Sequence, residues 1–87
     1  MSQYPDAPIS ALRTGCEQLL ADAISIEDFQ ILVRLAEASL TSVEQRPLRE
    51  LLRQAENELE EVLFTISSHK RRNPAVAIAR RVADAVQ

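Results

Sequence analysis

Residues 47–69 read PLRELLRQAENELEEVLFTISSH, and this stretch decides the fold. Leu48, Leu52, Ala55, Leu59, Val62 and Ile66 step by 4, 3, 4, 3 and 4, the spacing that lines one side of an α-helix. Leu51 and Leu63 flank that seam and widen it into the face of a bundle helix, broader than a two-stranded coiled coil needs. Proline suits a first helical turn and clashes deeper in. The helix is therefore expected to start near Pro47, with room for one earlier turn, and to run to about His69. At about 1.5 Å per residue it would be on the order of 33 Å long. In the connector before it, Thr41 with Glu44 and Ser42 with Gln45 are alternative capping boxes.

Further upstream, Ser25 stands three residues before Asp28, the spacing of a helix cap whose acid also suits the positive helix N-terminus. Ile24 and Phe29 are placed to staple that start. The helix it opens, from Ile26, carries the stripe Ile26, Phe29, Val33, Ala36 and Leu40, broadened by Leu32. Before it, Ile9, Leu12, Cys16, Leu19 and Ala23 mark a first helix, with Asp6 or Ser10 as its cap. Gly15 inside that stripe costs about 1 kcal/mol relative to alanine, so it marks either a close approach of another helix or a frayed turn. Residues 1–8, with two prolines, read as a flexible tail, and residues 9–87 as one domain. Past residue 69 the pattern breaks. Asn73 then reads as a cap and Pro74 as the first residue of a last helix, along which Ala75, Ile78, Ala79, Val82, Ala83 and Val86 form an apolar, small-residue face.

Composition agrees with helices. Apolar residues make up 46% and charged residues 26%, ordinary globular values, while the single glycine disfavours a hairpin-rich β protein. The expected fold is all-α: a small antiparallel up-and-down bundle of four helices, or three with a looser C-terminal helix. No apolar run approaches the roughly 20 residues of a membrane span. The N-terminus lacks the basic and apolar regions of a secretory signal, so a cytoplasmic protein is expected. One cysteine excludes an intrachain disulfide, and no Cys/His spacing suggests zinc.

Charge is placed unevenly along a chain of net charge −3. Residues 1–68 carry 12 acidic and 5 basic side chains, a balance of −7, and residues 69–87 carry 1 acidic and 5 basic, a balance of +4. Lys70, Arg71, Arg72, Arg80 and Arg81 thus form a candidate anion- or partner-binding cluster that could meet nucleic-acid phosphates. The same cations also have local uses: complementing a helix C-terminus, or pairing Arg80 with Asp84 one turn on. Stacking aromatics of single-strand binders are absent, since only Tyr4, Phe29 and Phe64 are aromatic.

Catalytic and metal readings find little. His69 is the only histidine. Histidine phosphotransfer domains are helical bundles whose histidine is followed by lysine and small residues, but here Ser67-Ser68-His69-Lys70-Arg71-Arg72 displaces the lysine and lacks the small residues. Glu56 and Glu60 lie four apart, away from the seam, and read as a solvated face; the Glu-x-x-His pairs of a di-iron bundle are missing. Cys16 sits on an apolar stripe and reads as a core residue. With one glycine there is no phosphate-cradling loop. No catalytic residues, cofactor or metal are therefore expected.

In size and helix pattern the chain is similar to bacteriocin immunity proteins, small antiparallel helical bundles. That similarity is one of architecture, with no residue motif to carry across. It implies an immunity- or antitoxin-like binding protein as an alternative within the interaction class. The reading as a whole is a non-catalytic protein–protein interaction module (adaptor, chaperone or regulatory partner). Its partner would be another protein or a second copy of itself, met through the last helix. Nucleic-acid binding at the basic end is the competing reading, and no membrane association is expected.

Overall fold

The structure, a computed structural model, describes residues 6–86. It is all-α: α1 (Asp6–Leu20), α2 (Ile26–Ser39), α3 (Arg46–Thr65) and α4 (Arg72–Val86), with 3-10 turns at Val43–Gln45 and Ser68–Lys70. Each helix packs mainly on its two neighbours in a ring, α1 on α2 and α4, and α3 on α2 and α4. The pairings run antiparallel: Arg34 meets Glu56 and Gln30 meets Glu60 across α2 and α3, and Arg13 reaches Val86 while Arg72 reaches Leu19 across α1 and α4. The radius of gyration of 12.4 Å matches the roughly 12 Å of a compact chain this long. The last helix is a full member of the ring, not a looser appendage.

One core fills the ring. Leu12, Phe29, Val33, Leu52, Leu59 and Val82 are fully enclosed, and Ile9, Cys16, Leu19, Ala36, Leu40, Ala55 and Val62 complete it with the buried residues of α4. The stripes of α1, α2 and α3 are those expected, apart from Ala23, which is exposed beyond the end of α1. Gly15 serves close approach: a Cβ there would run into Cδ1 of Leu32 and touch Phe29, so its absence lets α2 settle against α1.

Several boundaries differ from the sequence expectation. α1 begins at Asp6, so residues 6–8 are helical and not part of a tail; Pro8 still falls in the first turn, where no intrahelical N–H is needed. Ser10 lies inside the helix, and the side chain of Asp6, like residues 1–5 and 87, lies outside the described residues. α3 ends at Thr65 instead of about His69. At the start of α4 the first helical hydrogen bond runs from Ala75 N–H to the Arg71 carbonyl, so Arg71 and not Asn73 precedes the helix, and Pro74 occupies its third position. At α2 the expectation holds: Ser25 Oγ accepts from Asp28 N–H at 3.0 Å. Before α3, Ser42 N–H donates to Gln45 Oε1 at 3.2 Å.

α1 stops through a left-handed residue. Asp22 has φ 61°; its N–H donates to Leu19 O and that of Ala23 to Gln18 O, the paired bonds of a Schellman ending. Glycine takes this conformation without the steric cost an L side chain incurs. Asp22→Gly should raise stability by about 0.5 kcal/mol, a few degrees in Tm for a domain this small. The gain is held down by loss of the exposed Arg72–Asp22 pair at 3.3 Å. A melting curve checks it, and a lower Tm would show that the ion pair outweighs the backbone.

Candidate functional site

Three of the five cations of the C-terminal cluster are bound within the fold. Arg71 donates from Nε to Ile66 O at 2.7 Å and from Nη2 to Leu63 O at 2.8 Å. Arg72 reaches Leu19 O and Leu20 O at 3.2 and 2.9 Å, and Arg81 reaches Glu58 at 2.7 Å. The bonds of Arg71 and Arg72 belong to a pattern. Arg72 covers the C-terminal carbonyls of α1, Arg49 those of α2 through Leu40 O, Arg71 those of α3, and Arg13 those of α4 through Val86 O. The last carbonyls of a helix have no partner within it and carry its negative end. Four arginines thus close four helix ends. Lys70 and Arg80 remain exposed. The expected Arg80–Asp84 pair is not formed; an exposed pair at that spacing gains only about 0.3–0.5 kcal/mol.

The apolar face of α4 is likewise used inside the chain. Ala75, Ile78, Ala79, Val82 and Val86 are buried and Ala83 is partly buried, packed with α1 and α3. This corrects the expectation that α4 offers these residues to a partner: a face already enclosed in the monomer core is not open to another molecule.

The acidic residues of α3 also do more than face solvent. Glu56 accepts from Arg34 Nε at 2.7 Å and Glu60 from the buried Gln30 at 2.7 Å, so this side of α3 is strapped to α2. Glu37 lies against Glu56. Its pKa is raised by burial first and then by the hydrogen bond with Glu56 and that residue's charge, against the pull of Arg53 and Arg49. A carboxyl that holds its proton more tightly when folded stabilises the fold below its unfolded pKa of about 4.3, and that contribution is lost as pH rises through the folded pKa. Glu37→Gln, neutral at every pH, should therefore be more stable than the parent at pH 7, by less than about 1 kcal/mol because the site is partly solvated. At pH 4 the two should be nearly equal. Urea melts at both values decide it; an equal difference at both would exclude a raised pKa for Glu37.

His69 is exposed in the Ser68–Lys70 turn. Cys16 is buried on α1, and burial, with Glu17 beside it, pushes its thiol up to about 11, away from the reactive thiolate form. Among the described residues, no three of His, Cys, Asp and Glu gather as metal ligands, and no helix is long and apolar enough to cross a membrane.

The apolar residues that the fold leaves exposed side by side lie on α1 and α2. Ala7, Pro8 and Ala11 of α1 and Leu32 and Leu35 of α2 line an open cleft of about 310 Å³. Leu35 is 56% exposed, and Ile31, one turn before it on the same side of α2, is 49% exposed. None of these residues is charged. The other large exposed apolar residues, Val43 and Phe64, stand alone on the 3-10 turn and near the end of α3. Ile31 and Leu35 did carry a sequence signal: they are apolar residues of α2 that fall off its buried stripe. A second cleft, of about 340 Å³, lies between the end of α2 and the start of α3. Its arginines Arg46, Arg49 and Arg53 are opposed by Glu37 and Glu50, and Arg46 and Arg49 already bond Glu50 and Leu40 O.

No family model, curated protein or solved structure matches the chain.

Proposed function

We propose that this chain is a non-catalytic protein–protein interaction module that docks an apolar, uncharged protein surface on its outer α1–α2 face. The observation that carries the reading is the half-exposed pair Ile31 and Leu35 beside a cleft lined, among the described residues, by Ala7, Pro8, Ala11, Leu32 and Leu35. Contiguous apolar surface of this kind marks contact sites more often than does a scattered exposed residue. The competing nucleic-acid reading loses support because Arg71, Arg72 and Arg81 are engaged within the fold. An immunity- or antitoxin-like role stays within the same binding class and would use the same face.

A photo-crosslinking residue placed at Leu35 tests this, with one at exposed Asp84 of α4 as control. The proposal expects a discrete adduct at position 35, identified by mass spectrometry, and none at 84. No adduct at 35, or the same adducts at both positions, would remove the α1–α2 face from the function.

A further inference from the structure

We propose that the cleft between the end of α2 and the start of α3 binds the phosphate group of a small ligand through Arg49 and Arg53. This site is separate from the α1–α2 face and does not rest on the docking reading. Arg46, Arg49 and Arg53 step by three and four along α3, and all three line the same cleft of about 340 Å³. Like charges one turn apart on a helix repel each other, and the fold relieves them only in part. Arg46 is answered by Glu50 at 3.3 Å. Arg49 sends Nη1 to Leu40 O at 3.3 Å, an acceptor without a full charge, and keeps its other donors. Arg53 is exposed and, among the described residues, makes neither a hydrogen bond nor an ion pair.

Glu37 is the remaining carboxyl of the cleft, and it is a poor counter-ion. Burial, then the hydrogen bond with Glu56 and that residue's charge, make it hold its proton more tightly than an ordinary glutamate, against the pull of Arg53 and Arg49. Arg49 and Arg53 are thus left short of negative charge in a chain whose net charge is −3. A bound anion supplies what the fold does not.

The donors suit phosphate better than carboxylate. A guanidinium fork pairs with either, but a phosphate monoester carries about −1.5 to −2 charge and three acceptor oxygens that point in different directions. Those oxygens can take Arg49 and Arg53 from α3 and the hydroxyl of exposed Thr41, which lines the cleft just past the end of α2. Val43, 84% exposed, lines the same cleft and offers an apolar contact to the group that an ester carries.

Titration of the full chain with inorganic phosphate, and separately with phenyl phosphate, followed by amide chemical shifts at low salt and constant pH, tests the site. Saturable shifts should centre on Thr41, Val43, Arg49 and Arg53, with Kd on the order of 1 mM, and binding should weaken as salt is added. Arg53→Ala, at an exposed position, should weaken binding about tenfold with a melting curve like the parent's. Glu37→Gln removes a charge that opposes the ligand and should tighten binding about three- to fivefold, a gain that damage to the fold does not produce. Arg80→Ala, at an exposed cation of α4, should bind as the parent does. Tighter binding of phenyl phosphate, lost in Val43→Ser, would assign the site to a phosphate ester, and equal binding of the two probes would assign it to free phosphate. Absence of saturable shifts at about twentyfold above that Kd, shifts as large around Lys70 and Arg80, or an affinity unchanged in Arg53→Ala would overturn the site.

Discussion

Ala79→Phe should destabilise the monomer by about 3 kcal/mol or more, and by the same amount at every protein concentration. Ala79 is fully enclosed on α4, with Ala75, Ile78 and Val82 around it in the core. Interiors are packed to crystal-like density, so added volume forces off-rotamer side chains or backbone shifts costing about 1–3 kcal/mol and sometimes more. An 87-residue chain has a total stability of roughly 4–13 kcal/mol, so the change removes a large share of it. Urea midpoints at two protein concentrations separate this from the alternative use of the residue. An intermolecular contact at Ala79 would leave the monomer's midpoint unchanged and alter only association. That result would return α4 to the surface and contradict the packing described.

The helices were legible because their signals are local. Ser25 and Asp28 predict a start that the structure realises as a 3.0 Å hydrogen bond. The 4-3-4-3-4 stepping from Leu48 to Ile66 puts Leu52, Ala55, Leu59 and Val62 in the core. Helix ends were read less well. α1 closes on an aspartate in the left-handed conformation, where sequence reading looks for glycine. Its apolar stepping also continues to Ala23, which the chain then leaves in solvent. α3 keeps its apolar period at Ile66 although the helix has already ended at Thr65.

The site was legible only in part, for a related reason. Lys70, Arg71, Arg72, Arg80 and Arg81 are conspicuous as a basic run, but the partners of Arg71 and Arg72 are main-chain carbonyls that sequence spacing does not mark. Arg72 and its carbonyl partners in α1 are 52 and 53 residues apart, and Arg13 and Val86 are 73 apart. Composition suggested a surface for anions where folding needed donors. Conversely, the signal of Ile31 and Leu35 is faint in a chain that is 46% apolar. They become informative once the fold shows them left half-exposed, off the buried stripe of α2.

Arg71 is where the two uses of a cation separate most sharply. Its guanidinium sends Nε to Ile66 O and Nη2 to Leu63 O, so one rigid fork holds two carbonyls at the end of α3. It is partly buried, unlike exposed Lys70 and Arg80. A hydrogen bond from a charged donor contributes about 1.5–3 kcal/mol, and carbonyls left without a partner add a desolvation cost. Arg71→Ala should therefore cost about 2–3 kcal/mol. Arg71→Lys should recover less than half of that, because a point charge on a flexible stem does not reproduce the planar fork. Lys70→Glu and Arg80→Glu should each move stability by less than about 0.5 kcal/mol, as surface changes away from such features do. Denaturant melts of the four variants give the comparison. If all four proved equally mild, the arginine would be a surface cation and the basic end would again be open to phosphate. A loss confined to Arg71 would mean that this member of the basic run serves to end α3 and turn the chain into α4.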